Sequence, residues 1–404
     1  MTKPRTLVDE LRGVSRLAIE ATRGVTNLVE AVHQTIAGGP SVLGRPLEGV
    51  ARTLTAPVYD GIRGVTQLVG AGIDQALAPL APLLGGNAIG PEREAVLAAL
   101  NGVLGDYLEE SGNPLAIPMR LRSAGKELTL EREALRAAFP NVTSKVLVLV
   151  HGSCLNDRQW TRRGHDHGAA LARDLGFTSL YLHYNSGLHV STNGRACATL
   201  LDELVSAWPV PVAELTLVAH SMGGLVARSA CHVAKAEGLS WRQKLHAIVF
   251  LGSPHHGAPL ERGGNWIDAL LGVSRYSAPL ARLGKIRSAG VTDLRFGNVL
   301  DEHWKGRDRF AKEGDPRAEL KLPDGVECYA IAATTATAPT DPLPGDGLVP
   351  VDSALGRHVT PELSLRFSEA HQWIGFGMKH LDLLSSLEVY VKLREWLGVD
   401  RAHP

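Results

Sequence analysis

The chain has 404 residues, 44% of them hydrophobic and 21% charged, which is the composition of a globular protein with a sizeable core and not of a disordered or fibrous one. Lys plus Arg equals Asp plus Glu at 42 each, so the basic imbalance of a dedicated nucleic-acid binder is absent. Its four cysteines, Cys154, Cys197, Cys231 and Cys328, form no C-x-x-C pair, which argues against a disulfide scaffold or a cysteine-built zinc site and for a reducing, cytoplasmic setting.

The opening MTKPRTLVDELRGVSR has no apolar h-region, so no secretory signal is expected. The longest uncharged run, Gln75 to Pro91, is broken by Pro79, Pro82 and several glycines and falls short of the roughly 20 apolar residues of a spanning helix. No transmembrane segment is expected. Apolar residues at Leu7, Leu11, Val14, Ala18, Ala21, Val25, Leu28, Val32 and Ile36 form one helical stripe that Gly38-Gly39-Pro40 ends. A second stripe runs from Val58 through Ile62, Val65, Val69, Ile73 and Leu77 to Leu80. A third takes Val96, Leu100, Val103 and Tyr107, with Pro91 at its first turn. Arg23-Gly-Val-Thr-Asn-Leu-Val recurs as Arg63-Gly-Val-Thr-Gln-Leu-Val, which suggests a duplicated helical hairpin rather than a solenoid. Residues 1–115 are therefore expected to form a helical N-terminal region. It would pack on the main domain or bind a protein partner, with peripheral membrane docking the less favoured role because its first 110 residues lack Trp and Phe.

From about residue 116 the period changes, and a second domain is expected over 116–404. Short β-like runs appear at 117–122, 126–130, 145–150, 179–183, 215–219, 246–251 and 326–332, separated in places by helical stretches at 168–175, 195–208 and 223–237. Val146–Val150 and Leu215–Ala219 are almost wholly apolar, the pattern of strands buried on both faces of a parallel sheet. The expected class is α/β, with right-handed crossovers.

Between the run 215–219 and a helix lies Ala219-His220-Ser221-Met222-Gly223-Gly224. It is a nucleophile elbow with Ala in place of the first Gly of G-x-S-x-G. The turn is so tight that the residues two before and two after the serine must be small, as Ala219 and Gly223 are. Ser221 at a helix N-terminus would carry an exposed hydroxyl and a dipole-stabilised oxyanion. His151-Gly152-Ser153-Cys154 follows the strand 145–150, where an α/β-hydrolase places one oxyanion donor; the Ser153 and Met222 amides are the expected pair.

These motifs resemble those of serine esterases and lipases of the α/β-hydrolase fold. Gly252-Ser-Pro-His-His-Gly-Ala-Pro259 is similar to the G-S/T-P-H-x-G segment of bacterial lipases, and Tyr184-Asn-Ser-Gly-Leu-His-Val-Ser-Thr-Asn-Gly-Arg195 resembles the family that includes the GPI inositol-deacylases. The resemblance spans about residues 140–400. It implies the chain order Ser, Asp, His. Gly345-Asp346-Gly347-Leu-Val resembles the segment carrying the lipase acid, with Asp341 and Asp352 as alternatives, and Gly377-Met-Lys-His380-Leu-Asp resembles the segment carrying the histidine. His371 is the alternative base, because it follows Leu363–Phe367, the most plausible eighth strand. His380 is favoured.

Other features are discounted. His165-Asp166-His167 lacks a third placed ligand for a metal. Asp382 follows the histidine as a calcium ligand does in some bacterial lipases, without a clear second aspartate. His255 and His256 read as supports of their loop, and Cys154 as a buried packer. The stretch from about 258 to 323 departs from the strand-helix rhythm and reads as a lid-like insertion, with Trp266, Ile267, Leu270, Leu271 and Val273 suited to cover an acyl chain. The expected function is hydrolysis of an acyl or lipid ester through an acyl-enzyme, with no cofactor. The competing class is a non-catalytic lipid- or partner-binding protein on the same fold.

Overall fold

The computed structural model describes residues 90–258, 288–307, 315 and 317–399. The two N-terminal stripes, the internal echo and the apolar cluster 266–273 lie outside the described residues. By contacts the chain divides into two units, residues 1–96 with 108–115, and 97–107 with 116–404, so 97–107 group with the β/α part rather than with the helical front.

Helix α1 (Pro91–Glu110) begins on the proline, whose fixed φ and missing N–H suit a first turn. Val96, Leu100 and Val103 of the third stripe are buried on it. In the first unit, Asn113 N–H bonds the Leu108 carbonyl at 2.8 Å and the Asn113 Oδ1 accepts from Leu115 N–H at 2.9 Å, which closes the chain after the helix.

The second unit is built on eight strands: β1 (Arg120–Ser123), β2 (Lys126–Glu127), β3 (Lys145–Val150), β4 (Thr178–His183), β5 (Glu214–His220), β6 (Leu245–Leu251), β7 (Glu327–Thr334) and β8 (Gln372–Phe376). Their order is β2-β1-β4-β3-β5-β6-β7-β8. β1 pairs antiparallel with β2 and β4, and every other pairing is parallel. β3 and β5 are buried at every residue but their first because both faces are covered; β4 alternates, burying Thr178, Leu180 and Leu182. The helices are α2 (Arg132–Ala138), α3 (His167–Leu175), α4 (Val190–Ala207), α5 (Met222–Glu237), α6 (Ala289–Asp293), α7 (Val351–Ala354) and α8 (Leu387–Leu397). Asp166 caps α3 by accepting from Ala169 N–H at 2.9 Å, and left-handed Gly176 ends it. One core layer joins Leu147, Leu149, Val218, Val249 and Ile331 of the sheet to Leu171 of α3 and Leu393 of α8. Among the described residues, no helix is long and apolar enough to cross a membrane.

The eighth strand is not Leu363–Phe367 but Gln372–Phe376, which pairs with β7 from Ala330↔Gln372 to Thr334↔Phe376. The earlier run does bury Leu365 and Phe367, yet Leu365 N–H goes to the Gly356 carbonyl and Phe367 N–H to Leu365, so it lines a turn. The described residues after β6 are tied to one another. Ala258 N–H bonds the Leu294 carbonyl at 2.9 Å, and the Arg317 guanidinium donates to the His255 and Gly297 carbonyls at 2.9 and 3.1 Å.

Candidate active site

Parallel register sets the geometry. Val150 lies opposite Ala219, and His220 opposite Leu251, so the chain leaves β3, β5 and β6 side by side at one sheet edge. At the end of β5, Ser221 takes φ 55° and ψ −126°, a conformation that L-residues adopt only when their surroundings impose it. Here the Ser221 N–H is held by the Leu251 carbonyl at 2.9 Å, and Gly224 N–H returns to the Ser221 carbonyl at 3.0 Å. A β-carbon on Gly223 would come within 2.5 Å of the Val150 carbonyl oxygen, the physical reason that position stays small. The hydroxyl is not exposed, however. Ser221 retains 2% of its surface, and its Oγ has no hydrogen-bond partner among the described residues.

His380 opens a 3₁₀ turn (His380–Leu384) just beyond β8. Leu381, Leu383 and Leu384 are buried there, and α8 begins at Leu387. Two hydrogen bonds join His380 to Asp346: backbone N–H to carbonyl at 3.0 Å, and ring Nδ1–H to Oδ2 at 2.7 Å. The other carboxylate oxygen, Oδ1, accepts the N–H groups of Leu348 and Val349 at 2.9 and 2.8 Å. Both side chains are buried, and His380 Nε2, like Ser221 Oγ, has no partner among the described residues. Gly252, one residue past the carbonyl that holds Ser221 N–H, is the meeting point. A β-carbon there would lie 3.3 Å from both Asp346 Oδ2 and His380 Cε1. The structure thus brings Ser221, Asp346 and His380 to one buried locus.

It does not bring the alternatives there. Asp341 is exposed, and exposed Asp352 pairs with Arg357 at 3.5 Å. His371 lies at the opposite sheet edge, where β7 and β8 begin, with Nδ1 3.7 Å from Glu327 Oε2 and its ring against Tyr329.

Ser153 and Met222 are buried, and the β-carbon position of Gly152, which precedes Ser153, lies 2.9 Å from Ser221 Cβ. No hydrogen bond among the described residues uses the Ser153 or Met222 N–H, whereas the Cys154 N–H is taken by Ser186 Oγ at 3.0 Å. Two free amides beside the nucleophile can receive a developing oxyanion. Burial pushes the Cys154 thiol up to about 12, so it is an inert neutral group.

Three supporting residues carried no assigned role in the sequence. Tyr184 donates its hydroxyl to the His151 carbonyl at 2.8 Å and stacks on the His151 ring, whose burial lowers its pKa to about 3. Ser186 holds the Cys154 amide. His220 donates Nε2–H to the His380 carbonyl at 3.2 Å and packs its ring against His380; burial, and then His380 itself, keeps it uncharged. The signal for all three was their place inside quoted motifs.

The discounted histidines are accounted for by structure. His167 donates Nε2–H to the Leu383 carbonyl at 2.9 Å and so accepts at Nδ1 from His165 Nε2 at 2.8 Å. Asp382 pairs with Arg163 at 3.0 Å and accepts the Lys379 N–H. His255 is buried between Phe250 and Phe367, and His256 accepts from Arg317 at 3.1 Å.

A mostly parallel sheet with a strained serine between β5 and α5, and an Asp–His pair beyond the later strands, is an α/β-hydrolase fold. Residues 141–313 match the family described as PGAP1-like alpha/beta domain, a segment that holds Ser153 and Ser221 and stops before Asp346 and His380. No curated protein sequence matches the chain. Among solved structures, the mature Bacillus licheniformis lipase BlEst2 is similar at 16% identity, covering 63% of this chain and 91% of that one with a TM-score of 0.42. Aspergillus fumigatus lipase B is similar at 13% identity, over 84% and 81% of the two chains, with a TM-score of 0.41. A Pyrobaculum calidifontis esterase is similar at 13% identity, over 63% and 75%, with a TM-score of 0.39.

Proposed function

We propose that the protein is a serine hydrolase of carboxylic esters, acyl or lipid, working through an acyl-enzyme. Residues 116–404 would be its catalytic domain, with 258–323 as a lid-like insertion. The observation that carries the reading is the 2.7 Å bond from His380 Nδ1 to a carboxylate pinned by two backbone amides, buried beside a strained serine. With the proton fixed on Nδ1, Nε2 is the lone-pair nitrogen. It would accept the Ser221 proton as Oγ attacks the ester carbonyl, while Asp346 stabilises the imidazolium. The Ser153 and Met222 amides would hold the tetrahedral oxyanion. His380 would then protonate the leaving alkoxide, and a second pass with water would release the acid. No step calls for a cofactor.

The test is labelling with a fluorophosphonate probe together with hydrolysis of p-nitrophenyl esters of increasing chain length, on wild type and Ser221→Ala. The wild type should label at Ser221 and turn over. Ser221→Ala should fold and retain only the background assistance of the oxyanion hole and binding. Turnover near wild type in Ser221→Ala removes the assignment.

A further inference from the structure

Helix α1 precedes the matched segment and carries none of the proposed catalytic groups, yet its residues 97–107 belong to the same compact unit as the site. Two of its glycines are points of close approach. A β-carbon on Gly102 would fall inside the van der Waals shell of Cys154 Sγ and 2.9 Å from Cys154 Cα. One on Gly105 would collide with Asn185 Oδ1, whose Nδ2 donates to the Gly105 carbonyl at 2.9 Å. The helix is moored at this spot: Asn101 Oδ1 accepts Ile117 N–H at 2.8 Å, the Gly102 carbonyl accepts Ser288 Oγ–H at 2.6 Å, and Asp106 Oδ2 accepts Ala289 N–H at 2.8 Å.

Cys154 sits at φ 59°, a left-handed conformation that its β-carbon disfavours. The loop therefore needs outside packing to remain there. One support is Ser186 Oγ, which accepts the Cys154 N–H from the residue after Asn185; the other is the bare backbone at Gly102. Cys154 is bonded directly to Ser153, so any displacement of Cys154 moves the Ser153 N–H.

We infer that α1 is a working part of the active site, with Gly102 a positioning residue that seats Cys154 against the helix backbone and so aims the Ser153 N–H at the oxyanion. This rests on the ester-hydrolase reading above. A donor helps only when it sits 2.7–3.1 Å from where the oxyanion forms, and methyl-sized displacements exceed that tolerance.

The experiment compares full-length wild type, Gly102→Ala, Cys154→Gly and the double variant, measuring kcat and KM on p-nitrophenyl butyrate beside thermal melting. Gly102→Ala should lower kcat about 10²-fold, the loss typical of one missing oxyanion donor, with KM and the pH profile of kcat/KM little changed. Cys154→Gly in that background deletes the Sγ and Cβ that the new methyl strikes, leaves only the 2.9 Å approach to Cα for a small shift to absorb, and should recover about tenfold of the lost kcat. Should Gly102→Ala fail to fold, Ser186→Ala reads the same support from the loop side by deleting one hydroxyl, and should lower kcat about tenfold with the pH profile unmoved. A folded Gly102→Ala at wild-type kcat, a loss the double variant does not recover, or Ser186→Ala at wild-type kcat overturns the inference. If wild type neither labels nor hydrolyses, the ester-hydrolase reading fails and the inference goes with it; if wild type is active and Gly102→Ala equally so, the inference alone fails.

Discussion

Asp346→Asn is the substitution whose effect the geometry specifies most closely. In the wild type, Oδ1 accepts from Leu348 and Val349 N–H, and Oδ2 accepts from His380 Nδ1. An asparagine has one acceptor and one donor end. Its carbonyl must take the Oδ1 position, because an amide nitrogen there would face two N–H donors. The NH₂ then stands about where Oδ2 stood, 2.7 Å from the ring, and donates to Nδ1. The imidazole answers by carrying its proton on Nε2, the nitrogen that has to accept the Ser221 proton. Fold and binding survive while the base is lost, so kcat should fall by about 10⁴, roughly 5.5 kcal/mol of transition-state stabilisation. The assay is kcat and KM on p-nitrophenyl butyrate near neutral pH, with circular dichroism and melting to verify the fold. KM should hold within a few-fold. A folded Asp346→Asn with kcat within tenfold of wild type would refute the assigned pair.

His380→Ala should collapse kcat by several orders of magnitude, while His371→Ala, at the far sheet edge beside Glu327, should leave it within about threefold; the reverse pattern would move the base to His371. A chain beginning at Pro114 keeps every proposed catalytic group but loses the helix against which Cys154 packs. Its kcat should fall at least as far as that of Gly102→Ala, and a soluble truncation at wild-type kcat would contradict this. All four cysteines are buried, and Cys154, Cys197 and Cys231 are pushed by burial to about 12. At pH 8 only about one such thiol in 10⁴ is ionised, so a colorimetric thiol reagent should find no fast group in native protein and four after denaturation. A stoichiometric burst in the native state would show the burial to be wrong.

What was legible in the sequence was what local rules write into it. The apolar runs of β3 and β5 announce strands covered on both faces, and the tight elbow restricts which residues can flank Ser221. Alternation, by contrast, records that one face of a segment is buried without naming a partner, so Leu363–Phe367 reads as the eighth strand, and only pairing with β7 moves that strand to Gln372–Phe376. Leu381, Leu383 and Leu384 satisfy a helical pattern and a compact 3₁₀ turn equally well. Helix-interior glycines such as Gly102 and Gly105 read in sequence only as weak points. Their use depends on Cys154 and Asn185, which lie dozens of residues away. The enclosure of the Ser221 hydroxyl is likewise a property of the assembled site that its own motif does not encode.

The tie across the base of the insertion has an evolutionary consequence. With Ala258 bonded to Leu294, and Arg317 bridging the loops at 255 and 297, the described residues on either side of 259–287 are held by the domain itself. The entropy of closing a chain segment between fixed ends grows only logarithmically with its length, about 0.6 kcal/mol for each doubling. Lineages could therefore lengthen, shorten or exchange that segment at almost no thermodynamic penalty to the sheet beneath. Selection on substrate range could act there while the proposed chemistry at Ser221, Asp346 and His380 stayed constant.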